Sequence, residues 1–308
     1  MSSRLTIPVP RDYLFHRDYC SYGYFLLAPN KWNPHSRTLT RPLELDGGVA
    51  TFRIAQTGGK GSPIAAAADR GLSKKEKAHA QRLLSRMLRT DDEDIRAFHK
   101  LDPRWKRSGR GRLMRSPSFF EDVVKTVTSC NVTWPSTVIM NRKLCEALNP
   151  AFPSPRQLAR TRPATLRARC GVGYRDARLV ELGRLVASRE VDPEWYEDPA
   201  TPDEAIHEAL LELPGIGPYA AANILQLLGR YAHLPLDTES VRHGRNILGF
   251  KGTSAQVSRK VAAHFEPYAE HKFRSYWFEM WEWYESKRGK SWTWDPDTTG
   301  KTFTAAAF

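Results

Sequence analysis

The chain has 308 residues and carries 47 Lys and Arg against 34 Asp and Glu, a formal net charge of +13. This length can bury a core for one large or two modest domains without covalent staples. No run of ~18 apolar residues is present to span a membrane, and four scattered cysteines (Cys20, Cys130, Cys145, Cys170) argue against a disulfide framework or a C-x-x-C zinc site. The basic surplus suits a polyanionic partner.

In chain order, M-S-S-R-L-T-I-P-V-P has no apolar export segment, so no leader is expected. Residues 10–56 are rich in Tyr13, Phe15, Tyr19, Tyr22, Tyr24 and Phe25. Two runs, Leu39 to Leu45 and Val49 to Ile54, flank the hairpin turn Asp46-Gly47-Gly48. These features predict an antiparallel β subdomain over 1–70, with the aromatics packing the face it turns toward helices. Thr57-Gly58-Gly59-Lys60-Gly61-Ser62 lacks phosphate-loop spacing and reads as a connector.

A helical domain is expected over 71–286. Ser73 to Leu88 opens with a capping box of Ser73 and Glu76, and Asp91 to Phe98 is a short helix. Residues 104–115 hold six basic side chains. They read either as a solvated loop or as a strand-hugging one with Arg110 and Arg112 on phosphates. Ser118 to Cys130 is amphipathic through Phe119, Phe120, Val123, Val124 and Val127. Further helices are predicted over Ser136 to Leu148, from Pro155, from Pro163, and over Arg175 to Ser188, Glu239 to Leu248, Ser254 to Phe265 and Phe273 to Ser286. The last carries Phe273, Trp277, Met280 and Tyr284 at helical spacing, a stripe that reads first as core. Residues 287–308, polar and small, read as a loose tail.

The stretch from Thr201 to Leu248 organises the rest. Thr201-Pro202-Asp203-Glu204 starts a helix, with Thr201 at the N-cap, and Leu213-Pro214-Gly215-Ile216-Gly217 breaks it. Pro218 then opens a second helix. Two glycines around one apolar residue give a sharp turn whose uncovered amides, at a helix N-terminus, can hold a phosphate oxygen. Asp237 follows Gly217 by 20 residues.

L-P-G-I-G-P-Y-A-A followed at this distance by L-P-L-D-T-E-S-V-R resembles the helix-hairpin-helix DNA glycosylases that end in a Gly/Pro-rich loop and an aspartate. Cys170-Gly171-Val172-Gly173-Tyr174-Arg175 is similar to a loop of the oxoguanine branch that enters DNA beside the lesion. Ser129-Cys130-Asn131-Val132-Thr133-Trp134 lies where the family places an amide that plugs the emptied stack. The likeness spans roughly residues 115 to 285. It implies an α+β, predominantly α-helical fold: a two-subdomain helical core beside an N-terminal antiparallel sheet.

The resemblance implies roles residue by residue. Asp237 is the catalytic carboxylate; taken alone it is an N-cap for the next helix, and the two roles are compatible. Gly215, Ile216 and Gly217 form the phosphate-binding turn. Asn131, Tyr174 and Arg175 are the intercalating set, though each also reads as a cap or a packing residue. Tyr219, Trp134 and Trp277 face the base and sugar, Tyr219 being equally readable as half-packed core. Bifunctional members carry a lysine where Tyr219 stands, and no lysine lies between Lys143 and Lys251. A phenol cannot form a Schiff base, so a monofunctional hydrolase without lyase activity is expected.

The expected function is therefore removal of a damaged base from double-stranded DNA by an intracellular, DNA-associated monomer. With no cysteine after Cys170, the family's iron–sulfur cluster is not expected, and neither metal nor other cofactor is implied. An alkylated purine is the first substrate choice. Another modified base, a modified pyrimidine or an oxidised purine, is the alternative, and a non-catalytic helix-hairpin-helix DNA-binding protein is the rival of another class.

Overall fold

The structure, a computed structural model, describes residues 2–91 and 95–302. The first elements are Arg4–Ile7 (β1), Phe15–Tyr19 (α1), Lys31–Asn33 (β2), Thr38–Leu45 (β3), Gly48–Gln56 (β4) and Ile64–Ala68 (β5). The strands pair antiparallel in the order β1-β5-β4-β3-β2. The β3–β4 hairpin closes at Leu45 opposite Gly48, so Asp46-Gly47 forms its turn as the sequence predicts. Alternation sends Leu39, Leu43, Phe52 and Ile54 inward. The aromatic segment before it differs from expectation. Tyr13 to Phe25 is not strand but α1 and a short 3-10 turn over Gly23–Leu26, wound beside the sheet.

The helices are Lys74–Leu88 (α2), Ile95–Leu101 (α3), Phe119–Ser129 (α4), Trp134–Ala147 (α5), Pro155–Ala159 (α6), Pro163–Cys170 (α7), Asp176–Ala187 (α8), Pro193–Glu197 (α9), Asp203–Leu211 (α10), Pro218–Leu228 (α11), Thr238–Asn246 (α12), Ser254–Phe265 (α13), Lys272–Arg288 (α14) and Pro296–Thr302 (α15). The capping box of α2 forms, with Glu76 N donating to Ser73 Oγ and Ser73 N to Glu76 Oε2. Of the helix expected over Asp91 to Phe98, residues 92–94 lie outside the described part, and α3 starts at Ile95. Helix α10 begins one residue later than predicted. Pro202 is its N-cap, while the Thr201 hydroxyl donates instead to Trp195 O at 2.9 Å.

Two apolar cores form. One joins the sheet to α2, α13 and α14; the other gathers residues 119–225. The N-terminal sheet thus shares its interior with the C-terminal helices, a division that differs from a 1–70 subdomain. Helix α4 runs between the cores and is buried on every side from Phe119 to Thr128. Its polar face is tolerated because each charge has a partner. Arg41 of β3 makes a bidentate pair with Glu121 (2.6 and 3.0 Å), Lys125 meets Glu121 at 2.7 Å, and Arg86 meets Asp122 at 2.8 Å.

Two expectations are corrected. Arg110 and Arg112 of the basic stretch 104–115 are not phosphate contacts. Arg110 is buried against Glu285 (2.5 Å), and Arg112, 1% exposed, is held by both oxygens of Asp12 at 3.0 and 3.1 Å. Buried guanidiniums committed to carboxylates cannot also meet a strand. Likewise residues 287–302 are no loose tail. Trp294 is buried against Trp281, with ring centroids 5.2 Å apart, and the Trp32 indole donates to Trp292 O at 2.9 Å. Two tryptophans in a polar segment, Trp292 and Trp294, supply enough apolar surface to dock it.

Candidate active-site cavity

Helices α10 and α11 are joined by the predicted turn. Ile216 is buried among α11 and the second core, fixing the turn from inside. Gly215 has φ +84°, and a Cβ there would sit 3.0 Å from Arg178 Cδ, so a side chain is doubly disfavoured. Gly217 is different. Its backbone is extended (φ −112°), and an added Cβ would meet no protein atom within 4 Å. The fold does not crowd this residue; its open space leaves the start of α11, which has no side-chain cap, bare to an incoming anion.

Eight residues of connector separate α11 from Asp237, the N-cap of α12 (229 to 236). Asp237 Oδ1 accepts from Ser240 N at 3.0 Å, and Ser240 Oγ accepts from Asp237 N at 2.9 Å. This reciprocal cap pins the carboxylate while leaving its second oxygen for other work. Asp237 faces a cavity of about 940 Å³ bounded by the hairpin, the α4–α5 turn, the 22–26 segment and α14. Such a volume is at the upper end of small-molecule sites, ample for one nucleotide (about 300–1,000 Å³).

The walls are aromatic. Tyr22 lies 4.6 Å from Trp277, which stacks in turn on Trp281 at 5.4 Å. Their polar ends are tethered: Tyr22 Oη donates to Asn223 Oδ1 (3.0 Å), Tyr24 shares a hydrogen bond with Thr126 (2.8 Å), and Trp277 Nε1 donates to Ser21 O (2.8 Å). The rings therefore form a fixed aromatic wall, against which a flat group can stack. Burial, and next the charge of Glu239, push the Asp237 carboxyl up to about 6, against the Ser240 amide and Arg242, which favour its ionised form. Burial and then Asp237 hold the Tyr219 phenol well above its usual value, so it is neutral.

The cavity brings together Asp237, Tyr219, Trp134, Trp277, Asn131, Gly215 and Gly217. Asn131 stands exposed at the rim in a left-handed turn (φ +52°), next to exposed Val132. Tyr174 lies outside the cavity, 53% exposed, with Arg178 5.1 Å from its ring. Arg175 is corrected. It is 4% exposed, donates from Nε to Val127 O at 3.1 Å and also to Cys130 O, and so ties down the end of α4. It cannot enter a duplex; it fixes the turn that carries Asn131.

Sequence reasoning missed Tyr22, Tyr24, Glu239 and Trp281 as cavity residues, and Arg178 beside the hairpin. The Trp277–Met280–Trp281–Tyr284 spacing was the available signal for Trp281, since a stripe can serve core and cavity at once. Tyr22 and Tyr24 carried no local signal, because their role depends on how the N-terminal segment docks against α11 and α14.

The fold is one seen in solved structures of DNA glycosylases. The chain is similar to the 3-methyladenine DNA-glycosylase from Archaeoglobus fulgidus (TM-score 0.70, 19% identity, covering 92% of this chain and 99% of that one). It is also similar to MBOgg1 in complex with a low-affinity DNA ligand (0.64, 16%, 93% and 96%) and to the apo 8-oxoguanine glycosylase/lyase of Clostridium acetobutylicum (0.56, 16%, 77% and 87%). No family model matches the sequence, and no curated protein matches it. At such identities the likeness establishes the fold.

Proposed function

We propose that this protein is a monofunctional DNA N-glycosylase that flips a damaged base out of duplex DNA and hydrolyses its bond to the sugar, leaving an abasic site. The observation that carries this reading is Asp237: a capped, largely buried carboxylate at the edge of an aromatic, nucleotide-sized cavity, beside a hairpin whose amides are bare. A departing base leaves positive charge on the sugar, and a fixed anion stabilises it and orients the attacking water. Expelling the nucleotide from the stack costs a few kcal/mol, least for a damaged base. Asn131 and Val132 at the rim are placed to fill the gap.

Tyr219, at the cavity wall, supplies no amine, which supports hydrolysis without strand nicking. The Clostridium neighbour is described as a glycosylase/lyase, so this is a property of the residue at 219 and not of the fold. Alkylated purines are the preferred substrates. They are cationic, leave without a dedicated acid, and suit stacking against the aromatic walls of the cavity, Tyr22 and Trp277 among them. The Archaeoglobus neighbour is a 3-methyladenine DNA-glycosylase, in keeping with that choice. The protein acts as an intracellular monomer on double-stranded DNA, without metal or iron–sulfur cluster. Duplexes each carrying one defined lesion test the reading. Strand breaks only after alkali are expected. Breaks without alkali, together with a borohydride-trapped adduct, contradict the monofunctional mechanism, and no breaks across a broad panel leave a DNA-binding protein.

A further inference from the structure

The cavity holds a second carboxylate. Glu239 lies two residues after Asp237, in the first turn of α12, and lines the same hollow. It is clamped from behind: its Oε2 accepts from Arg242 Nη2 at 2.5 Å and from the Tyr284 hydroxyl, while Arg242 itself lies 5.0 Å from the Trp283 ring. Among the described residues no hydrogen bond reaches Oε1. Several other polar groups of the walls are committed, since Tyr22, Tyr24 and the Trp277 indole bond to protein partners. Asp237 is committed too, to the α12 cap and, on the reading above, to the sugar.

We propose that Glu239 is the specificity-determining residue of this cavity, accepting a hydrogen bond from the edge of the extruded base and selecting bases that carry positive charge and N–H donors. The inference rests on the glycosylase reading and deepens it. Stacked rings grip any flat base by its faces and read nothing at its edge; edge reading needs a directed polar group. An acceptor-only anion in a partly desolvated site rewards a donor or a cation and penalises an edge that offers lone pairs alone. Arg242 and Tyr284 hold the carboxylate in one orientation, so little ordering is needed when a base arrives.

The test compares two lesions in one duplex context under single-turnover conditions at pH 8, where Asp237 is ionised in wild type and variant alike. 7-Methylguanine is cationic and presents N–H donors; 1,N6-ethenoadenine is neutral and presents acceptors. Glu239→Gln, nearly isosteric, is expected to slow removal of 7-methylguanine by about tenfold to hundredfold while leaving ethenoadenine unchanged or faster. Tyr284→Phe, which loosens the clamp without removing the charge, should move the ratio in the same direction by less. Parallel loss on both lesions, or no change on either, overturns the assignment. A wild-type enzyme that removes ethenoadenine and ignores 7-methylguanine also overturns it; one that removes neither overturns this inference and the alkylpurine choice, while the glycosylase reading falls only if the broad lesion panel is also negative.

Discussion

Asp237 combines two demands that usually conflict. It must be dry enough for its charge to act strongly on a nascent cation, yet ionised at working pH. Burial raises its pKa to about 6, and the Ser240 amide limits the rise. The carboxylate form is the working one, so excision should be flat above pH 7 and fall tenfold per unit below about 6, measured as single-turnover rate against pH. A rate unchanged at pH 5 excludes Asp237 as the group that must be charged. The sign for stability is opposite. The folded pKa lies above the unfolded value of about 3.9, so protonation favours the fold, and this contribution is lost as pH rises through 6. Charge counting misassigned Arg110 and Arg112, and the loop resemblance misassigned Arg175. Their acceptors, Glu285, Asp12 and the carbonyls ending α4, lie 175, 100 and 45 to 48 residues away, and no local pattern announces them.

At the scale of elements, the hairpin was legible apart from the one-residue shift at the start of α10. Its caps, glycines and apolar spacing are local, and α11 starts at Pro218 as the sequence requires. What the spacing did not reveal is that the two glycines serve different ends. Gly215→Ala is strained at φ +84° and presses on Arg178, so it should lower stability by roughly 1–2 kcal/mol. Gly217→Ala finds open space and should melt within a degree or two of wild type, yet its methyl stands where a phosphate approaches. DNA affinity should fall about tenfold. Thermal melts and salt-matched binding curves check both; a Gly217→Ala that binds normally removes the turn from the interface. Helix α4 shows a limit of a different kind: amphipathic by sequence, it is buried all round because Arg41 and Arg86 arrive from distant elements to neutralise its polar face.

Over the whole molecule, the sequence yielded the fold class, the element order and the central pairing of hairpin with Asp237. It did not yield the cavity, whose walls come from widely separated segments: 22–26, 129–137, 215–223, 235–239, the helix α14 and Trp294. Tyr22 reads as packing until the N-terminal segment is seen to dock across α11, and Trp294 reads as tail until it is found against Trp281. Docking of this kind is a long-range outcome of two cores closing on each other. The claim that this closure delivers a nucleotide to one carboxylate is tested most directly by Asp237→Asn. Asn caps a helix as well as Asp and carries no charge, so the variant should fold and melt at or above the wild-type temperature at pH 7.5. Its affinity for a lesion-bearing duplex should stay within about twofold, while its single-turnover excision rate falls by at least about 10²-fold. Excision at the wild-type rate would contradict the account.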